Sequence, residues 1–499
     1  MKAIEEKKKF LVLGIASALA VLLAGHVATA VAGTSGTFST TGSMNISRAA
    51  HTATLLNNGK VLITGGVTKE INGGTSNLPW QDSIPLSSAE LYNPATGTFT
   101  PTGDMTISRA FHTATVLNTG KVLITGAYLD VRAELYDPAT GTFTPTGIMT
   151  ISRTFHTATL LPNGQVLIAG GLTGGIYPQA SVLSSAELYD PATGTFTSTG
   201  NMTGAHLFHT ATLLANGLVL ITGEPYYGGE YTAELYNPAT GTFTHTGQMV
   251  NMLGRWGHTA TLLNNGRVLI AGGGGSPQGA ELYDPDTGTF APTGDMTSPR
   301  TWHAATLLNN GQILMAGGYA YYCGWAASEL YDPSTGTFAS TGDMTVGRFY
   351  HTTTLLQNGQ VLVAGGESVD PPPLSNAELY TPPYVLVQID IKSTSGLKCF
   401  NQNERGVIPV AIFGSDALNV ANIDIGSLWL QGLSVKVTGK SNKYLAHFED
   451  INKDGYDDLI IQFQDSDGWV VPGSDYATLK GKLYNGTQIM GQDTICIIP

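Results

Sequence analysis

One acidic segment near the C-terminus has the composition of a calcium-binding loop. Residues 450–458 read D-x-N-x-D-G-x-x-D, so side-chain oxygens alternate along the chain and a glycine stands at the sixth position. Ca²⁺ prefers oxygen ligands held in such loops. The predicted ligands are the side chains of Asp450, Asn452, Asp454 and Asp458 and the carbonyl of Tyr456. Ile461 stands where an EF-hand requires Glu, so we expect a shorter, structural Ca²⁺ loop; the alternative is an acidic turn held by its own Asx hydrogen bonds.

The chain has three cysteines, Cys323, Cys399 and Cys496. Cys399 and Cys496 lie near the two ends of the C-terminal region, and export from the cytoplasm would permit a disulfide between them. Spacing alone does not establish a pairing. The predicted Cys399–Cys496 bridge leaves Cys323 without a partner.

Aromatic side chains gather in the variable segments of a repeated sequence, and one precedes its last histidine. The predicted ligand-binding residues are Trp80, Tyr128, Tyr177, Tyr226, Tyr227, Tyr321, Tyr322, Trp325 and Tyr350. Aromatic side chains with polar tips offer a large contact area, which suits recognition of a glycan or a protein. The alternative interpretation is that many of them only pack between loops.

A seven-fold repeat must position these residues. Each copy has a histidine, a Thr-rich strand signal, a turn containing Gly, a second apolar strand, a third strand with Glu-Leu-Tyr and a further turn. The leading histidines are His51, His112, His156, His209, His258, His303 and His351. A period near 50 residues is typical of propeller blades, which bury their strands by stacking radially. The sequence therefore predicts an all-β fold.

The repeat resembles the kelch family, whose fold is a β-propeller. The resemblance rests on the double glycine after strand two, the Tyr-Asp-Pro turn and the Arg three residues before the His, such as Arg153 before His156. It covers roughly residues 34 to 383. Phe stands in Thr-Gly-Thr-Phe where the family usually has Trp, and His206 replaces the expected Arg in the fourth copy.

The ends of the repeat predict how the propeller closes. The seventh Glu-Leu-Tyr, at Glu378, lacks the following Thr-Gly-Thr-Phe, and a matching Ser35-Gly36-Thr37-Phe38 stands before the first histidine. The N-terminal strand should complete blade seven, which removes open sheet edges. The loops between strands two and three vary while the other turns do not, and loops that vary over a constant frame carry function. We call the side with these loops the loop face.

The seven histidines have two interpretations. A ring of metal ligands is one. The other, which we favour, is that each histidine hydrogen-bonds neighbouring backbone, because a metal site needs ligands that converge rather than one per blade.

The last copy carries a second resemblance. Arg348-Phe349-Tyr350-His351 with Asn358-Gly359 resembles a copper-ligand segment of galactose-oxidase-like radical enzymes, whose propeller is also seven-bladed. The resemblance implies a copper site that further requires a Tyr cross-linked to Cys, a second His and another copper-binding domain. Cys323 lies beside Tyr321 and Tyr322, in the wrong blade order for that family.

The sequence divides into three parts. Residues 1–32 resemble a secretory signal peptide, with basic residues, an apolar run from Phe10 to Ala24 and Ala-x-Ala sites; an uncleaved anchor is the alternative. Residues 33–383 form the predicted seven-bladed propeller. Residues 384–499, which begin a new strand pattern near Val385, form a predicted small β-sandwich-like domain.

Charge and composition limit the classes of function that the protein could have. The net charge is −13, and no basic stripe follows the N-terminus, so a nucleic-acid partner is not expected. With no nucleophile elbow or paired carboxylates, the first hypothesis is a secreted, non-enzymatic protein, extracellular or periplasmic, that binds a glycan or a protein through the loop face. The alternatives are an enzyme, either a copper radical oxidase or a hydrolase, and a structural cell-surface or matrix component. The oligomeric state is left open.

Overall fold

The computed structural model describes most of the chain from Ser35 onward. It covers residues 35–70, 83–173, 181–223, 232–250, 255–320, 323–368, 373–391, 399–401, 406–415, 418–431, 433–438, 443–465, 476–494 and 496–498. The predicted signal peptide lies outside these residues. The described chain separates between Pro383 and Tyr384 into two compact units, and its architecture is nearly all strand with no α-helix among the described residues. The predicted all-β class is confirmed.

The first unit is built from four-stranded antiparallel sheets, seven of them among the described residues. In order from the innermost strand, they are blade one, Thr52–Leu55, Val61–Thr64, Ala89–Asn93 and Thr98–Pro101; blade two, Thr113–Val116, Val122–Thr125, Arg132–Asp137 and Thr142–Ile148; blade three, Thr157–Leu160, Val166–Ala169, Ala186–Asp190 and Thr195–Ser198; blade four, Thr210–Leu213, Val219–Thr222, Thr232–Asn237 and Thr242–Gln248; blade five, Thr259–Leu262, Val268–Ala271, Ala280–Asp284 and Thr289–Pro292; blade six, Ala304–Leu307, Ile313–Ala316, Ser328–Asp332 and Thr337–Ser340; and blade seven, Thr352–Leu355, Val361–Ala364, Ala377–Thr381 and Thr37–Thr40. Each innermost strand contacts those of both neighbouring blades, so the sheets form a closed β-propeller.

Local sequence explains the strands of a blade. The second strand, such as Val166–Ala169, is apolar and buried along its whole length, because both of its faces meet neighbouring blades. The turn before it contains Gly164 at a φ of 87°, a conformation that glycine adopts without strain. Small antiparallel hairpins extend some of the loops on the loop face. They pair Val67–Glu70 with Ser83–Pro85, Leu172–Thr173 with Ser181–Val182, and Tyr319–Ala320 with Cys323–Gly324.

Blade seven joins the two ends of the propeller. The strand Thr37–Thr40 pairs antiparallel with Ala377–Thr381, and Phe38 lies opposite Tyr380. Their aromatic rings are 4.9 Å apart between centroids. The last blade is therefore completed by the first described strand of the chain, which leaves no unpaired outer edge on Ala377–Thr381.

A tyrosine staple connects each blade to the one before it. The third-strand Tyr is hydrogen-bonded through its hydroxyl to a Thr hydroxyl in or just after the outer strand of the preceding blade, at 2.9–3.1 Å. The pairs are Tyr92–Thr41, Tyr136–Thr102, Tyr189–Thr146, Tyr236–Thr199, Tyr283–Thr246, Tyr331–Thr293 and Tyr380–Thr341. The Tyr and Thr of the repeat thus hold neighbouring blades together.

The second unit contains two larger sheets over one apolar core. The five-stranded sheet has the order Tyr384–Leu386, Gln488–Thr494, Tyr476–Lys482, Trp429–Leu430 and Leu433–Ser434, and the four-stranded sheet has the order Ile389–Ile391, Gly406–Ile412, Asp458–Asp465 and Ala446–Glu449. Two-stranded ladders pair Cys399–Asn401 with Cys496–Ile498 and Val437–Thr438 with Lys443–Tyr444, and two 3-10 turns span Val420–Asn422 and Ile425–Ser427. Buried side chains such as Val410, Ile461 and Leu479 fill the core, as in a β-sandwich.

The backbone register bears on the predicted disulfide. Strands Cys399–Asn401 and Cys496–Ile498 run parallel, and Cys399 lies directly opposite Cys496. Opposed positions on paired strands are within the Cα separation that a disulfide spans. The Cys399–Cys496 bridge stays a prediction that this register supports.

Candidate functional site

A belt of left-handed backbone surrounds the entry to the innermost strands. The residues immediately before the seven histidines are Ala50, Phe111, Phe155, Phe208, Gly257, Trp302 and Tyr350, which we call the axial belt. Its non-glycine members all have φ between 51° and 56°. An L-residue pays roughly 1–2 kcal/mol for this conformation, so the surrounding structure must enforce it.

Hydrogen bonds between blades enforce the belt. The N–H of Phe111 donates to the carbonyl of Ala50 at 3.1 Å, and the N–H of Ala50 donates to the carbonyl of Tyr350 at 3.0 Å. The same bond runs from Phe155 to Phe111, from Tyr350 to Trp302 and from Trp302 to Gly257. In these five cases a belt residue binds the belt residue of the preceding blade.

The aromatic side chains of the belt pack against one another across the axis. Ring centroids are 4.1 Å apart for Phe111 and Phe155, 4.7 Å for Phe155 and Phe208, and 4.7 Å for Phe208 and Trp302. Trp302 contacts Tyr350 at 5.0 Å, and Tyr350 contacts Phe111 at 5.7 Å. The belt therefore forms a half-buried aromatic floor on the loop face, and Tyr350 contributes its phenol group.

Most of the repeat histidines bind side chains of the neighbouring blade. Six of them are hydrogen-bonded through Nε2 to the Thr that begins the innermost strand of the preceding blade, at 3.0–3.3 Å. The pairs are His51–Thr352, His112–Thr52, His156–Thr113, His209–Thr157, His258–Thr210 and His303–Thr259. Burial is the main cause that lowers the pKa of all seven, to about 3 for His112, so their imidazoles are neutral, and the six bonded ones connect neighbouring blades.

His351 is the exception. Blade six has Ala304 where the preceding blades have Thr, and Ala316 stands where blades one, two and four place a second Thr hydroxyl near the histidine. Both ring nitrogens of His351 are buried and without a hydrogen-bond partner among the described residues, although the side chain is only 8% exposed. Burial also lowers its pKa well below the ordinary value. A neutral imidazole with an unused Nε2 lies between blades six and seven.

Tyr350, the residue before His351, also has an unusual environment. Burial, reinforced by the nearby Glu367 carboxylate, raises the pKa of Tyr350 well above its ordinary value. Glu367 is held by two backbone hydrogen bonds with Phe349, at 2.8 and 3.0 Å. The corresponding positions after the second strand of the other blades are Val67, Tyr128, Leu172, Pro225, Gly274 and Tyr319. Blade seven therefore departs from the other blades at Tyr350 and Glu367, and blade six departs from them at Ala304.

Buried ion pairs under the loop face were missed by the sequence analysis. In six blades the Arg three residues before the histidine binds the Glu of Glu-Leu-Tyr in the same blade at 2.7–3.2 Å. The pairs are Arg48–Glu90, Arg109–Glu134, Arg153–Glu187, Arg255–Glu281, Arg300–Glu329 and Arg348–Glu378. The signal that could have revealed them is that both residues recur with the repeat, except where His206 replaces the Arg.

Only some of the predicted aromatic binding residues lie in the described part of the chain. Tyr128 is half exposed. The backbone N–H of Trp325 donates to Gly318 at 2.8 Å, and its indole Nε1 is buried with no partner among the described residues. Tyr350 belongs to the aromatic floor. The remaining predictions, Trp80, Tyr177, Tyr226, Tyr227, Tyr321 and Tyr322, lie outside the described residues.

The predicted calcium loop is held by its own hydrogen bonds in this structure. The buried Asp458 carboxylate accepts from the N–H groups of Gly414, at 2.9 Å, and Ile451, at 3.0 Å. Asp450 accepts from Asp454 and Gly455 at 3.1 Å, and Asp454 accepts from Tyr456 at 2.9 Å. Asn452 also donates from its side-chain amide to Asp454 at 2.8 Å, and its Oδ1 accepts from the N–H of Asp454 at 3.0 Å. These contacts match the Asx-turn alternative. The Ca²⁺ site is still a prediction.

The donors around blade seven fit copper in kind. Neutral imidazole and a tyrosine oxygen are N and O donors of the type that Cu(II) accepts, and the Nε2 of His351 is unused. Within the described ranges, no group of three or more His, Cys, Asp or Glu side chains gathers as a metal site. Tyr350 and His351 therefore provide two donors. Cys323 lies in blade six, in the wrong blade order for the family, and its side chain is outside the described part of the structure.

Comparisons with known proteins identify the fold. No protein-family model and no curated protein matches the chain. A solved structure of a novel fungal alcohol oxidase of the AA5 family, in complex with copper, is 16% identical, covers 93% of this chain and 100% of its own, and has a TM-score of 0.58. The structure of YjhT is 14% identical over 56% of this chain and 98% of its own, with a TM-score of 0.45. At these identities the likeness to the oxidase shows the β-propeller fold.

The same comparison corrects the first functional hypothesis. A non-enzymatic protein that binds a glycan or a protein was expected, but the solved structure whose fold matches 93% of this chain is that of an alcohol oxidase. The comparison contradicts that prediction and favours its enzyme alternative. One residue assigned to ligand binding, Tyr350, packs into the aromatic floor, and the neighbouring His351 has ring nitrogens without a partner among the described residues. Across the part of the chain that the structure describes, no helix has the length and apolar character to cross a membrane.

Proposed function

We propose that the protein is an enzyme that oxidises alcohols with copper held at Tyr350 and His351. The observation that carries the proposal is the unused, buried Nε2 of His351, in the one copy of the repeat where the belt residue is a tyrosine. The likeness to a copper-bound alcohol oxidase adds support. Bound copper would supply the redox chemistry by which an alcohol loses two electrons and two protons to O₂, giving an aldehyde and hydrogen peroxide.

The chain's own residues have separate roles in this proposal. His351 is kept neutral by burial, so its Nε2 lone pair is free to bind a metal. Ala304 and Ala316 provide no hydroxyl at the positions where Thr hydroxyls bind the histidine in other blades. The aromatic floor beside Tyr350 excludes water from the centre and offers an apolar surface to the carbon skeleton of an alcohol.

Copper stoichiometry of the purified full chain tests the proposal. After loading with Cu(II) and dialysis, we expect one copper per chain by elemental mass spectrometry, and hydrogen peroxide from simple primary alcohols. His351→Ala should lose both. Ala316→Thr should reduce copper binding without removing a donor, because the new hydroxyl would occupy Nε2 of His351.

The matched control is Ala271→Thr, which adds the same hydroxyl beside His303, a histidine that already binds Thr259. It should leave the copper content unchanged. Absence of copper from the wild-type chain, or equal copper and activity in His351→Ala, would overturn the proposal.

We further propose that the propeller is of the kelch type and that the protein is exported. The recurring double glycine and Tyr-Asp-Pro turn support the first proposal, and the signal-like residues 1–32 support the second. The register of Cys399 and Cys496 is compatible with an oxidising compartment.

A further inference from the structure

The third strand of blade six begins with a serine. In the other six blades this position, immediately before Glu-Leu-Tyr, is an alanine: Ala89, Ala133, Ala186, Ala233, Ala280 and Ala377. Ser328 is only 1% exposed, and its Oγ has no hydrogen-bond partner among the described residues. A buried hydroxyl without a partner costs roughly 1–3 kcal/mol, a cost that the alanine of the other blades avoids. Ser328 therefore has an unused hydroxyl at a position where the repeat needs none.

The strand register places Ser328 beside the histidine of blade seven. Ser328 lies directly opposite Ala316, and opposed residues of an antiparallel pair have Cβ atoms about 4.5–5.5 Å apart on one face of the sheet. In blade one the residue equivalent to Ala316 is Thr64, whose hydroxyl is hydrogen-bonded to Nε2 of His112 at 3.0 Å. The face that carries Ala316 and Ser328 is therefore the face that meets His351.

Contacts of blade six support this orientation. Ala316 packs with side chains of blade seven, such as Val361. A Cβ atom added at Gly317, the next residue, would lie 2.8 Å from Cε1 of His351, and the equivalent distance in blade one is also 2.8 Å. The imidazole of His351 therefore faces Ala316 as the imidazole of blade one faces its threonine, but Ala316 offers Nε2 no hydroxyl.

Unpartnered polar groups gather in these two blades. Among the described residues, the buried hydroxyl, amide and indole atoms without a hydrogen-bond partner are those of Trp325, Ser328, Thr354 and Asn376, all in blades six and seven. The Oγ of Ser328 and the Nε2 of His351 face the same interface and do not bond each other, because neither has a partner. A guest that contacts both atoms would satisfy both.

We propose that Ser328 binds the same metal ion as His351, with its hydroxyl oxygen as a ligand. The inference rests on the proposed copper site and adds one oxygen donor to Tyr350 and His351. The hydroxyl oxygen and Nε2 of a neutral imidazole both carry lone pairs, so a cation between them would satisfy both groups. Imidazole nitrogen and oxygen are donors that Cu(II) accepts. A single water molecule that bridges the two groups is the competing occupant.

Copper affinity of the full chain tests the role of Ser328. Equilibrium dialysis against Cu(II) at increasing free concentration gives the Kd of the wild type and of Ser328→Ala. This variant has the residue of the other six blades, so it should fold, and its melting temperature without copper should not fall. Loss of a group that only orients a ligand already costs about 10- to 100-fold in metal affinity, so loss of a ligand should raise the Kd at least about tenfold.

A cysteine at the same position reports on direct contact. With Co(II) as the probe, a thiol that binds the metal loses its proton and gives a thiolate-to-metal absorption band in the near ultraviolet. We expect this band in Ser328→Cys and not in the wild type. The matched control is Ala280→Cys, in the same position of blade five. There the residue opposite is also an alanine, Ala271, but His303 is already hydrogen-bonded to Thr259, so no band should appear.

The outcomes separate the role of Ser328 from the copper site itself. Equal Kd values for the wild type and Ser328→Ala would overturn that role and leave copper at Tyr350 and His351, with water as the guest of the hydroxyl. A raised Kd without the band in Ser328→Cys would also overturn direct binding by Ser328. A wild-type chain that binds no copper would overturn this inference together with the proposed function.

Discussion

His351 differs from its six counterparts through its neighbours. The imidazole is in the same place in every blade, but Ala304 and Ala316 deprive this one of hydroxyl partners. The sequence motif Tyr350-His351 could be recognised in advance. The lack of hydrogen-bond partners for the His351 imidazole could not be predicted, because the partners of the other histidines lie in the preceding blade. That contact between blades is seen only in the structure. The same holds for the Arg–Glu pairs, whose members are about 25 to 42 residues apart.

At the residue scale, the buried Arg–Glu ion pair gives a stability prediction. Arg153→Ala should lower the free energy of unfolding by about 3–5 kcal/mol, because it leaves Glu187 buried and unpaired. Denaturant titration followed by circular dichroism measures this change. Arg132→Ala is the control, since Arg132 and Asp130 form an exposed pair, and it should leave the midpoint unchanged. If Arg153→Ala lowers the free energy of unfolding no more than this control does, the buried ion pair does not stabilise the blade.

Strands and turns were the elements that the sequence predicted best. The apolar second strand and the glycine turn before it are local signals, and the structure has them in every blade. The belt residues were not predictable in this way, because Phe111 and Phe155 disfavour a positive φ and adopt it only under inter-blade hydrogen bonding. The aromatic floor that these residues build was therefore not predictable from the sequence.

At the element scale, the acidic loop of the second unit gives a second prediction. If residues 450–458 bind Ca²⁺, removing it with EDTA should lower the melting temperature of this unit by several degrees, as expected for about 2.7 kcal/mol at a hundred-fold excess over Kd. Asp454→Ala should have the same effect in calcium buffer. Asp457→Ala, next to the predicted ligands, is the control. A melting curve that is identical with and without EDTA would leave only the Asx-turn interpretation.

The whole propeller depends on its closure. The tyrosine staple and the backbone bond of the axial belt both have a copy between blades seven and one, where Tyr92 binds Thr41 and Ala50 binds Tyr350. The composition of the repeat indicated a ring, and the incomplete last copy indicated where it closes. The candidate site on the loop face could not be predicted from the repeat pattern, because it depends on residues at which single blades differ from the repeat.

Removal of the closing strand should open the ring. A chain that begins at Gly42 lacks Thr37–Thr40, so it exposes the edge of Ala377–Thr381 and the ring of Tyr380. We expect aggregation in size-exclusion chromatography and loss of the cooperative thermal transition. A chain that begins at Ser35 keeps the strand and should behave as the full chain does. Normal melting of the shorter chain would show that blade seven is stable with three strands.

The pairing of Phe38 with Tyr380 also sets an order of events during synthesis. The two residues are 342 positions apart in the chain (380 minus 38), so the first strand has no partner until nearly the whole propeller has emerged. Contacts between such distant segments form slowly, because a very long loop must close first. Blades one to six can assemble from neighbouring segments, whereas ring closure waits for the last one. The N-terminal strand of the nascent chain is therefore unpaired until the last blade has been synthesised. During this time the strand is exposed to mispairing with other copies of the chain.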